Sequence, residues 1–219
     1  MGRSKQEKFA IIAENENVIE EGKDWYTNIK GSWNVFFKND NPIVLELGCG
    51  KGDYTTGLAS LFPNSNFVGI DIKGSRIWKG SSIAAEKQLH NVAFLRTQID
   101  QIDQFFELDE VDDIWITFPD PRPRDKDEKH RLTCEKFIET YRKILKSEGF
   151  IHLKTDSDFL FDYTLELIKK SPTIEARNLV YTADVYQSEL LKDHHGLTTD
   201  YERMFLEEGK KIKYLKFNL

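Results

Sequence analysis

Three glycines stand at alternate positions in one short segment of the chain, Gly48, Gly50 and Gly52, and an acidic residue, Glu46, precedes them by two positions. Alternate glycines let the backbone turn tightly and approach a ligand closely. A dinucleotide fingerprint needs its third glycine one residue later, where Asp53 stands, and a Walker A loop needs Ser or Thr where this chain has Gly52. The segment therefore predicts a ligand without a pyrophosphate, and Glu46 is placed to neutralise a cationic group on that ligand.

A second acidic residue, Asp71, follows the glycine segment at the spacing of about 20 residues that places a carboxylate beside ribose hydroxyls. Gln98 and Asp100 follow the next predicted strand, and either could meet an adenine amino group; spacing alone does not choose between them. An acid, alternate glycines and a ribose-binding carboxylate together are typical of the S-adenosylmethionine sites of Rossmann-like methyltransferases. The sequence therefore predicts S-adenosylmethionine as the cofactor.

A third acidic residue, Asp120, is enclosed by two prolines in the segment Phe118-Pro119-Asp120-Pro121. The prolines restrict the backbone on both sides of the carboxylate and favour a stiff, extended loop. Amino-methylating enzymes of this fold usually carry Asn or Asp followed by Pro-Pro and an aromatic residue at this place, so the different order here narrows the substrate. We expect Asp120 to lie at the active-site edge of the sheet.

The ten residues after this loop, from Arg122 to Arg131, hold five basic side chains and one histidine beside three acids. Such a run is commonly a solvated helix entry of mixed charge. Its position next to Asp120 favours the alternative, a loop that contacts phosphates at the mouth of the site, with Lys5 and Lys8 as helpers. The sequence therefore predicts a local phosphate-binding surface.

Two later segments carry polar residues at candidate ligand positions. Asp156 follows a predicted strand, where it is placed either to contact a ligand or to cap the next helix. The segment of Thr199, Asp200, Tyr201 and Glu202 matches a helix capping box, with Thr199 as the cap and Glu202 three residues later. The capping interpretation does not exclude a substrate role for the same segment.

The elements that must position these residues follow an α/β pattern from Ile43 onward, in which short apolar runs alternate with helix-length amphipathic stretches. The pattern indicates a mostly parallel, doubly wound sheet whose ligands bind at the carboxyl ends of the strands. After Pro172 a late pair of strands predicts a C-terminal antiparallel addition, as a hairpin or at the sheet edge. The predicted strands are Ile43–Leu47, Asn66–Ile72, Val92–Arg96, Asp113–Phe118, Phe150–Lys154, Glu175–Tyr181 and Lys211–Phe217, and the predicted helices are Tyr54–Leu61, Ser75–Leu89, Thr133–Leu145 and Phe159–Lys169.

The first forty residues are polar but carry several aromatic side chains, which a free tail would lack. We therefore expect residues 1–40 to be an extension packed on a catalytic domain that spans residues 41–219. The whole chain of 219 residues fits one domain with a full core.

Composition narrows the class of protein further. The chain holds 31 basic and 37 acidic residues, for a net charge of −6, which argues against unspecific coating of nucleic acid or lipid. No apolar run approaches the roughly 18 residues of a membrane span, and no export signal is visible. Two distant cysteines make no disulfide framework, and His194 and His195 lack the further ligands of a metal site. We expect a cytoplasmic protein with no membrane contact and no metal.

Taken in order, these segments resemble the bacterial tRNA (guanine-N7)-methyltransferase family, a class I methyltransferase family with a Rossmann-like fold. The glycine segment is shared with many methyltransferases, whereas the Asp-Pro loop with its basic run and the closing Thr-x-Tyr-Glu are more specific. The resemblance covers nearly the whole chain and implies tRNA as the partner. We expect a monomer or a homodimer. Its motifs are Gly31-Ser32-Trp33-Asn34, Asn39-Asp40-Asn41-Pro42, Glu46-Leu47-Gly48-Cys49-Gly50-Lys51-Gly52, Phe118-Pro119-Asp120-Pro121, His130-Arg131-Leu132-Thr133, Leu153-Lys154-Thr155-Asp156 and Thr199-Asp200-Tyr201-Glu202.

The resemblance also implies roles for single residues. Asp120 is the family's catalytic carboxylate, and Gln98 stands where the family usually has Asp, so the adenine contact there differs in charge. Arg124 stands where many members have Lys. The implied donor-binding residues are Glu46, Gly48, Gly50, Gly52, Asp71, Gln98 and Asp120, and the implied substrate-binding residues are Arg124, Asp156, Thr199, Asp200, Tyr201 and Glu202.

The predicted reaction is methyl transfer to N7 of a guanosine in tRNA, and the resemblance points to the variable loop. Guanine N7 is an unprotonated nucleophile, so the site needs placement and charge stabilisation rather than a general base. We expect Asp120, Asp156 and Glu202 to share these tasks. The alternatives are a methyltransferase for a small molecule or a protein, which leaves the basic run unexplained, and an RNA-binding scaffold, which leaves the donor site unexplained.

Overall fold

The computed structural model of this protein describes residues 3–219, which form one mixed sheet of eight strands with helices. The strands lie in the order β1-β4-β3-β2-β5-β6-β8-β7; β1 to β6 are parallel, and β8 is antiparallel to both of its neighbours. The predicted α/β class, with a mostly parallel sheet and a C-terminal antiparallel addition, is confirmed. The strands are β1 (Val18–Ile19), β2 (Ile43–Leu47), β3 (Asn66–Ile70), β4 (Val92–Leu95), β5 (Val111–Thr117), β6 (Leu145–Thr155), β7 (Arg177–Thr182) and β8 (Lys213–Asn218).

Eight α-helices accompany the sheet in the part of the chain that the structure describes. They are α1 (Lys5–Glu14), α2 (Asp24–Asn28), α3 (Trp33–Phe37), α4 (Asp53–Leu61), α5 (Gly74–Glu86), α6 (Glu135–Ile144), α7 (Asp158–Lys170) and α8 (Asp200–Glu207). Short 3-10 helices cover Ile99–Gln104, Asp125–His130, Val185–Gln187 and Glu189–His194. Between residues 3 and 219, no helix is both long enough and apolar enough to cross a membrane.

The central strands lie close to their predicted positions, and the largest departure is at β6. The sequence predicts a strand over Phe150–Lys154, but β6 begins at Leu145, directly after α6. The added stretch is polar and exposed, so its composition resembles a loop. It continues the strand because Leu145 pairs with Val111 across a register shift. At Gly149 a Cβ would lie 2.3 Å from the carbonyl oxygen of Asp112, so glycine permits this close pairing.

The N-terminal residues contribute to the sheet and to the core. β1 pairs with β4 at one edge of the sheet, and α1 packs against α5. Trp33 is fully buried, its Nε1 donates a hydrogen bond to the Phe105 carbonyl at 2.9 Å, and its ring stacks on Phe106. The division of the chain at residue 40 stays a prediction.

The C-terminal strands form the predicted antiparallel pair at one end of the sheet, with the later strand on the inside. β8 lies between β6 and β7, so β7 alone forms that edge of the sheet. Tyr214, Leu215 and Phe217 of β8 are buried, whereas β7 is largely exposed. The last strand of the chain thus contributes to the core next to β6, which ends one residue before Asp156.

Candidate active site

A cavity of about 720 Å³ opens at the carboxyl ends of β2, β5 and β6. This is the edge where a sheet with parallel strands and covering helices binds its ligands. The walls come from the glycine segment, the Asp120 loop, the residues after β6 and the first turn of α8. Of the predicted site residues, the cavity wall includes Glu46, Gly48, Gly50, Asp120, Asp156, Thr199, Asp200 and Tyr201.

The glycine segment forms a sharp turn from β2 into α4. Gly48, Gly50 and Gly52 have φ of 74°, 56° and 74°, the left-handed region that glycine enters without steric cost. A Cβ at Gly52 would also lie 2.7 Å from the ring of Phe94. Glycine is therefore required at Gly52 both for the turn and for close packing against β4.

Asp71 fixes this turn from the end of β3. Its side chain is buried, and Oδ2 accepts a hydrogen bond from the Gly50 N–H at 3.0 Å. Oδ1 accepts a second hydrogen bond, from the Lys73 N–H at 2.8 Å. The spacing predicts a ribose contact for Asp71, and the structure adds a role in shaping the glycine turn.

Glu46 lies at the inner end of the cavity and is almost fully buried. Its Oε2 accepts hydrogen bonds from the backbone N–H and the hydroxyl of Thr55, and its Oε1 accepts one from the Thr117 hydroxyl at 2.7 Å. Burial raises the pKa of Glu46 to about 7, because the hydrogen bonds compensate only part of the lost hydration. Glu46 therefore gains or loses its charge near neutral pH.

A smaller cavity of about 230 Å³ lies beyond the ends of β3 and β4. Gln98 contributes to its wall beside Ile72 and Thr97. Asp100 lies elsewhere, with its carboxylate 3.8 Å from the Lys136 ammonium on α6. Of the two residues between which spacing does not choose, Gln98 therefore lines this cavity and Asp100 does not.

The loop that carries Asp120 has an unusual backbone at both ends. Phe118 and Arg122 each have φ of 48°, which is uncommon for residues other than glycine and is found at functional sites. The Phe118 N–H donates to the Lys154 carbonyl at 2.8 Å, which anchors the loop to β6. Asp120 is exposed at the cavity, and its Oδ2 lies 3.1 Å from Nε of Arg122. The loop thus offers a carboxylate that a bound substrate can cover.

The basic run contains one residue that the phosphate-contact hypothesis assigns wrongly. Arg131 is 3% exposed, and its guanidinium stacks over the rings of Phe159 and Tyr163. Its Nε donates to the Arg122 carbonyl at 3.0 Å, and its Nη2 lies 3.5 Å from the Arg124 carbonyl. Arg131 therefore holds the loop from within. Arg122, Arg124, Lys126 and Lys129 are exposed, as that hypothesis requires.

Asp156 does not cap α7, so the capping interpretation for it is wrong. The cap is Ser157, whose hydroxyl accepts a hydrogen bond from the Leu160 N–H at 3.2 Å. Asp156 is half-buried in the cavity wall, and its Oδ2 lies 3.2 Å from the Lys210 ammonium. Lys210 is a cavity residue without a sequence signal, because it stands outside every motif, in a polar stretch after α8.

The first turn of α8 forms only half of the predicted capping box. The Thr199 hydroxyl accepts a hydrogen bond from the Glu202 N–H at 3.1 Å, but the Glu202 side chain does not return to the cap. Asp200 forms an ion pair with Lys51 at 3.1 Å, and the hydrogen bond from Lys51 lowers the pKa of Asp200. Tyr201 is 51% exposed at the cavity. The turn therefore meets the glycine segment across the cavity.

Glu202 lies behind the cavity wall, although the sequence analysis assigns it a substrate contact. It is fully buried, and its Oε2 lies 2.9 Å from the Lys154 ammonium. Its Oε1 accepts hydrogen bonds from Nε2 of His194 at 3.0 Å and from the hydroxyl of Tyr186 at 3.1 Å. No spacing rule in the sequence pairs Lys154 with Glu202. A lysine in the last half of an apolar strand is the signal that could have found it.

Comparison with known proteins relates this geometry to a family. Residues 40–215 match a family model described as "Putative methyltransferase". A tRNA (guanine-N(7)-)-methyltransferase of Cytophaga hutchinsonii is 48% identical over 99% of this chain and 98% of its own length. The enzyme of the same description from Bacteroides fragilis is 48% identical over 100% of this chain and 87% of its own length.

Solved structures show the fold. A 16S rRNA methyltransferase superposes with a TM-score of 0.66 at 16% identity and covers 91% of this chain and 95% of its own. An antibiotic-related methyltransferase superposes with a TM-score of 0.61 at 15% identity over 94% and 98% of the two chains. With near-full-length relatives at such identity and a sheet and cavity of this type, the chain belongs to the tRNA (guanine-N7)-methyltransferase family.

Proposed function

We propose that this protein transfers a methyl group from S-adenosylmethionine to N7 of a guanosine in the variable loop of tRNA, in the cytoplasm. The observation that carries the proposal is the 48% identity, over 99% of this chain, to a tRNA (guanine-N(7)-)-methyltransferase. A small-molecule or protein methyltransferase is the alternative. The exposed basic residues beside the cavity favour tRNA as the substrate over a small molecule or a protein, because phosphate contacts need such residues.

The described residues fit the methyl donor. The glycine turn and buried Asp71 form a cradle at the end of β2 and β3, and Gln98 stands in the cavity beyond it. The donor supplies an electrophilic methyl group on a sulfonium and carries a cationic amino group. Glu46 would meet that amino group at the inner end of the cavity, Asp71 the ribose and Gln98 the adenine.

Binding of the donor is expected to depend on pH through Glu46. An amino group of pKa about 8 stays protonated near neutrality and favours ionised Glu46, whose own pKa is about 7. Binding therefore releases a proton, and affinity should rise about tenfold from pH 5.5 to pH 7. Calorimetric Kd values for S-adenosylmethionine across this range check the result.

The matched variant for this prediction is Glu46→Gln, which keeps the shape of the side chain and cannot ionise. Its affinity should be lower than that of the wild type at pH 7 and nearly independent of pH. An equal pH dependence in both proteins would show that another group controls donor binding.

The guanine side of the site needs no proton acceptor at N7, because the lone pair of N7 is free. Asp120 would lie near the ring that becomes cationic, and Asp156 would accept hydrogen bonds from N1 and N2. Tyr201 offers an exposed ring on which a base taken out of the tRNA stack can lie. Together these residues would turn N7 toward the methyl group.

The tRNA backbone would lie across the basic loop. Replacing Arg124, Lys126 and Lys129 by Gln should reduce the slope of log Kd against log salt by about 2, since each phosphate contact contributes about 0.7–0.9. Titration of tRNA at several salt concentrations measures that slope. The control replaces three lysines at the end of α6, the start of β6 and the end of α7, away from the carboxyl ends of the strands: Lys143, Lys146 and Lys170. It removes the same charge and should leave the slope unchanged. Equal slopes for both triple variants would place the tRNA surface elsewhere.

The proposed target is tested with labelled S-adenosylmethionine and two unmodified tRNA transcripts. One transcript carries the natural variable-loop guanosine, and the other carries adenosine at that position. We expect label in the first and none in the second. Label in both would move the site out of the variable loop, and label in neither, with donor binding intact, would favour the small-molecule or protein alternative.

A further inference from the structure

Four polar side chains meet in the interior between β6, α8 and the 3-10 helices that precede α8. Glu202 is 0% exposed and Lys154 is 1% exposed, and their charged atoms lie 2.9 Å apart. The other carboxylate oxygen of Glu202 accepts hydrogen bonds from Nε2 of His194 at 3.0 Å and from the Tyr186 hydroxyl at 3.1 Å. The ammonium of Lys154 also lies 5.0 Å from the centre of the Tyr54 ring. We call the side chains of Glu202, Lys154, His194 and Tyr186 the buried charge cluster. It lies outside the cavity wall and has no part in the chemistry described above.

Burying the charges of Lys154 and Glu202 costs free energy unless the two charges are paired and hydrogen-bonded. Well-packed apolar side chains of similar volume often replace such a pair without loss of stability, so stability alone is weak grounds for its presence. The carboxylate of Glu202 already accepts from three donors and has no exposed surface. A guanine base cannot reach it in this conformation.

The buried charge cluster joins three parts of the cavity wall. The carbonyl of Lys154 accepts from the Phe118 N–H at 2.8 Å, at the start of the Asp120 loop. Asp156 follows Lys154 by two residues on the same strand end. The backbone of Glu202 bonds to the Thr199 hydroxyl, so its side chain anchors the turn that carries Tyr201. One ion pair thus links the residues proposed to hold the base.

We propose that Glu202 and Lys154 are positioning residues, whose buried ion pair holds the first turn of α8 against the strand end that carries Asp156. The inference rests on the proposed function, because it concerns placement of the guanine. In this account Glu202 serves the reaction through Lys154 and does not touch the substrate. Removing either charge leaves the other buried without its partner and displaces the same turn.

A double-mutant cycle on kcat/KM for tRNA tests this proposal, with the variants Glu202→Gln, Lys154→Met and both together. In each single variant kcat/KM should fall about 30- to 100-fold. In the double variant it should be no more than about threefold below that of the less active single variant. If the loss in the double variant equals the product of the two single losses, Glu202 acts independently of Lys154 and the proposal is overturned. Single variants within threefold of the wild type would overturn it as well.

The control is Glu207→Gln, an exposed acid at the far end of the same helix, with unchanged kcat/KM expected. Thermal melts show whether each variant is folded at the assay temperature. If a cycle variant is not, Tyr186→Phe, which removes one donor to Glu202, should lower kcat/KM three- to tenfold; an unchanged value would overturn the proposal. A wild-type protein that forms no N7-methylguanosine refutes the proposed function, whereas multiplying losses with an active wild type refute only this inference.

Discussion

Replacing Asp120 by Asn is expected to lower kcat about 100-fold, which corresponds to about 2.7 kcal/mol in the barrier. The guanine ring becomes cationic as N7 accepts the methyl group, and a carboxylate beside it stabilises the developing charge. Asp120 is exposed in the free protein and paired with Arg122. A bound base would cover the Asp120 carboxylate and exclude water from it. The attraction between the carboxylate and the cationic ring would then be stronger, because water no longer screens the two charges. Single-turnover rates at saturating donor and tRNA measure the effect.

The matched control is Asp125→Asn, an exposed carboxylate five residues further along the same loop. It removes the same charge from the region without facing the cavity, so its kcat should stay close to that of the wild type. The Kd values for donor and tRNA should change little in either variant. A kcat for Asp120→Asn within threefold of the wild-type value would remove Asp120 from its catalytic role.

Replacing Asp71 by Asn is expected to weaken binding of S-adenosylmethionine about 100-fold, while the fold is kept. The two carboxylate oxygens accept from the Gly50 and Lys73 N–H groups, and an amide offers only one acceptor oxygen for both. The glycine turn then loses an anchor, and the proposed charge-assisted contact with the ribose is lost as well. Calorimetric titration gives the Kd, and a thermal melt reports the fold.

Asp100→Asn is the control for this prediction and also tests the alternative adenine contact. Asp100 faces Lys136 outside the cavity, so its donor Kd should match that of the wild type. If Asp100→Asn weakened donor binding as much as Asp71→Asn, the adenine would lie near Asp100 and α6 rather than in the cavity that Gln98 lines. An unchanged Kd for Asp71→Asn would exclude the ribose contact.

Much of the proposed donor half of the site is predictable because it depends on local spacing. The glycine turn, Glu46 and Asp71 lie at the ends of two adjacent parallel strands, and the strand pattern alone brings such ends together. The predicted strand over β2 has the observed bounds because a strand covered on both faces is apolar at nearly every position, and in β2 only Glu46 departs from this pattern.

The residues that sequence reasoning placed wrongly depend on contacts between distant segments. Arg131 resembles its exposed neighbours in the basic run, and only the rings of Phe159 and Tyr163 on α7 show that it is buried. Glu202 fits a capping box by spacing, but Lys154, 48 residues earlier, takes its side chain into the interior. Local patterns carry no information about such partners. For the same reason, local patterns do not predict that β8, last in the chain, enters the sheet beside β6.

The central claim is tested most directly by locating the methyl group on the tRNA. Unmodified tRNA is incubated with the protein and S-adenosylmethionine, treated with borohydride and aniline, and resolved by length, because this treatment cleaves the chain at N7-methylguanosine. We predict one cleavage, at the variable-loop guanosine, and no cleavage when the donor is omitted. Methylated tRNA that shows no cleavage would contradict the account, since the methyl group would then lie on another atom.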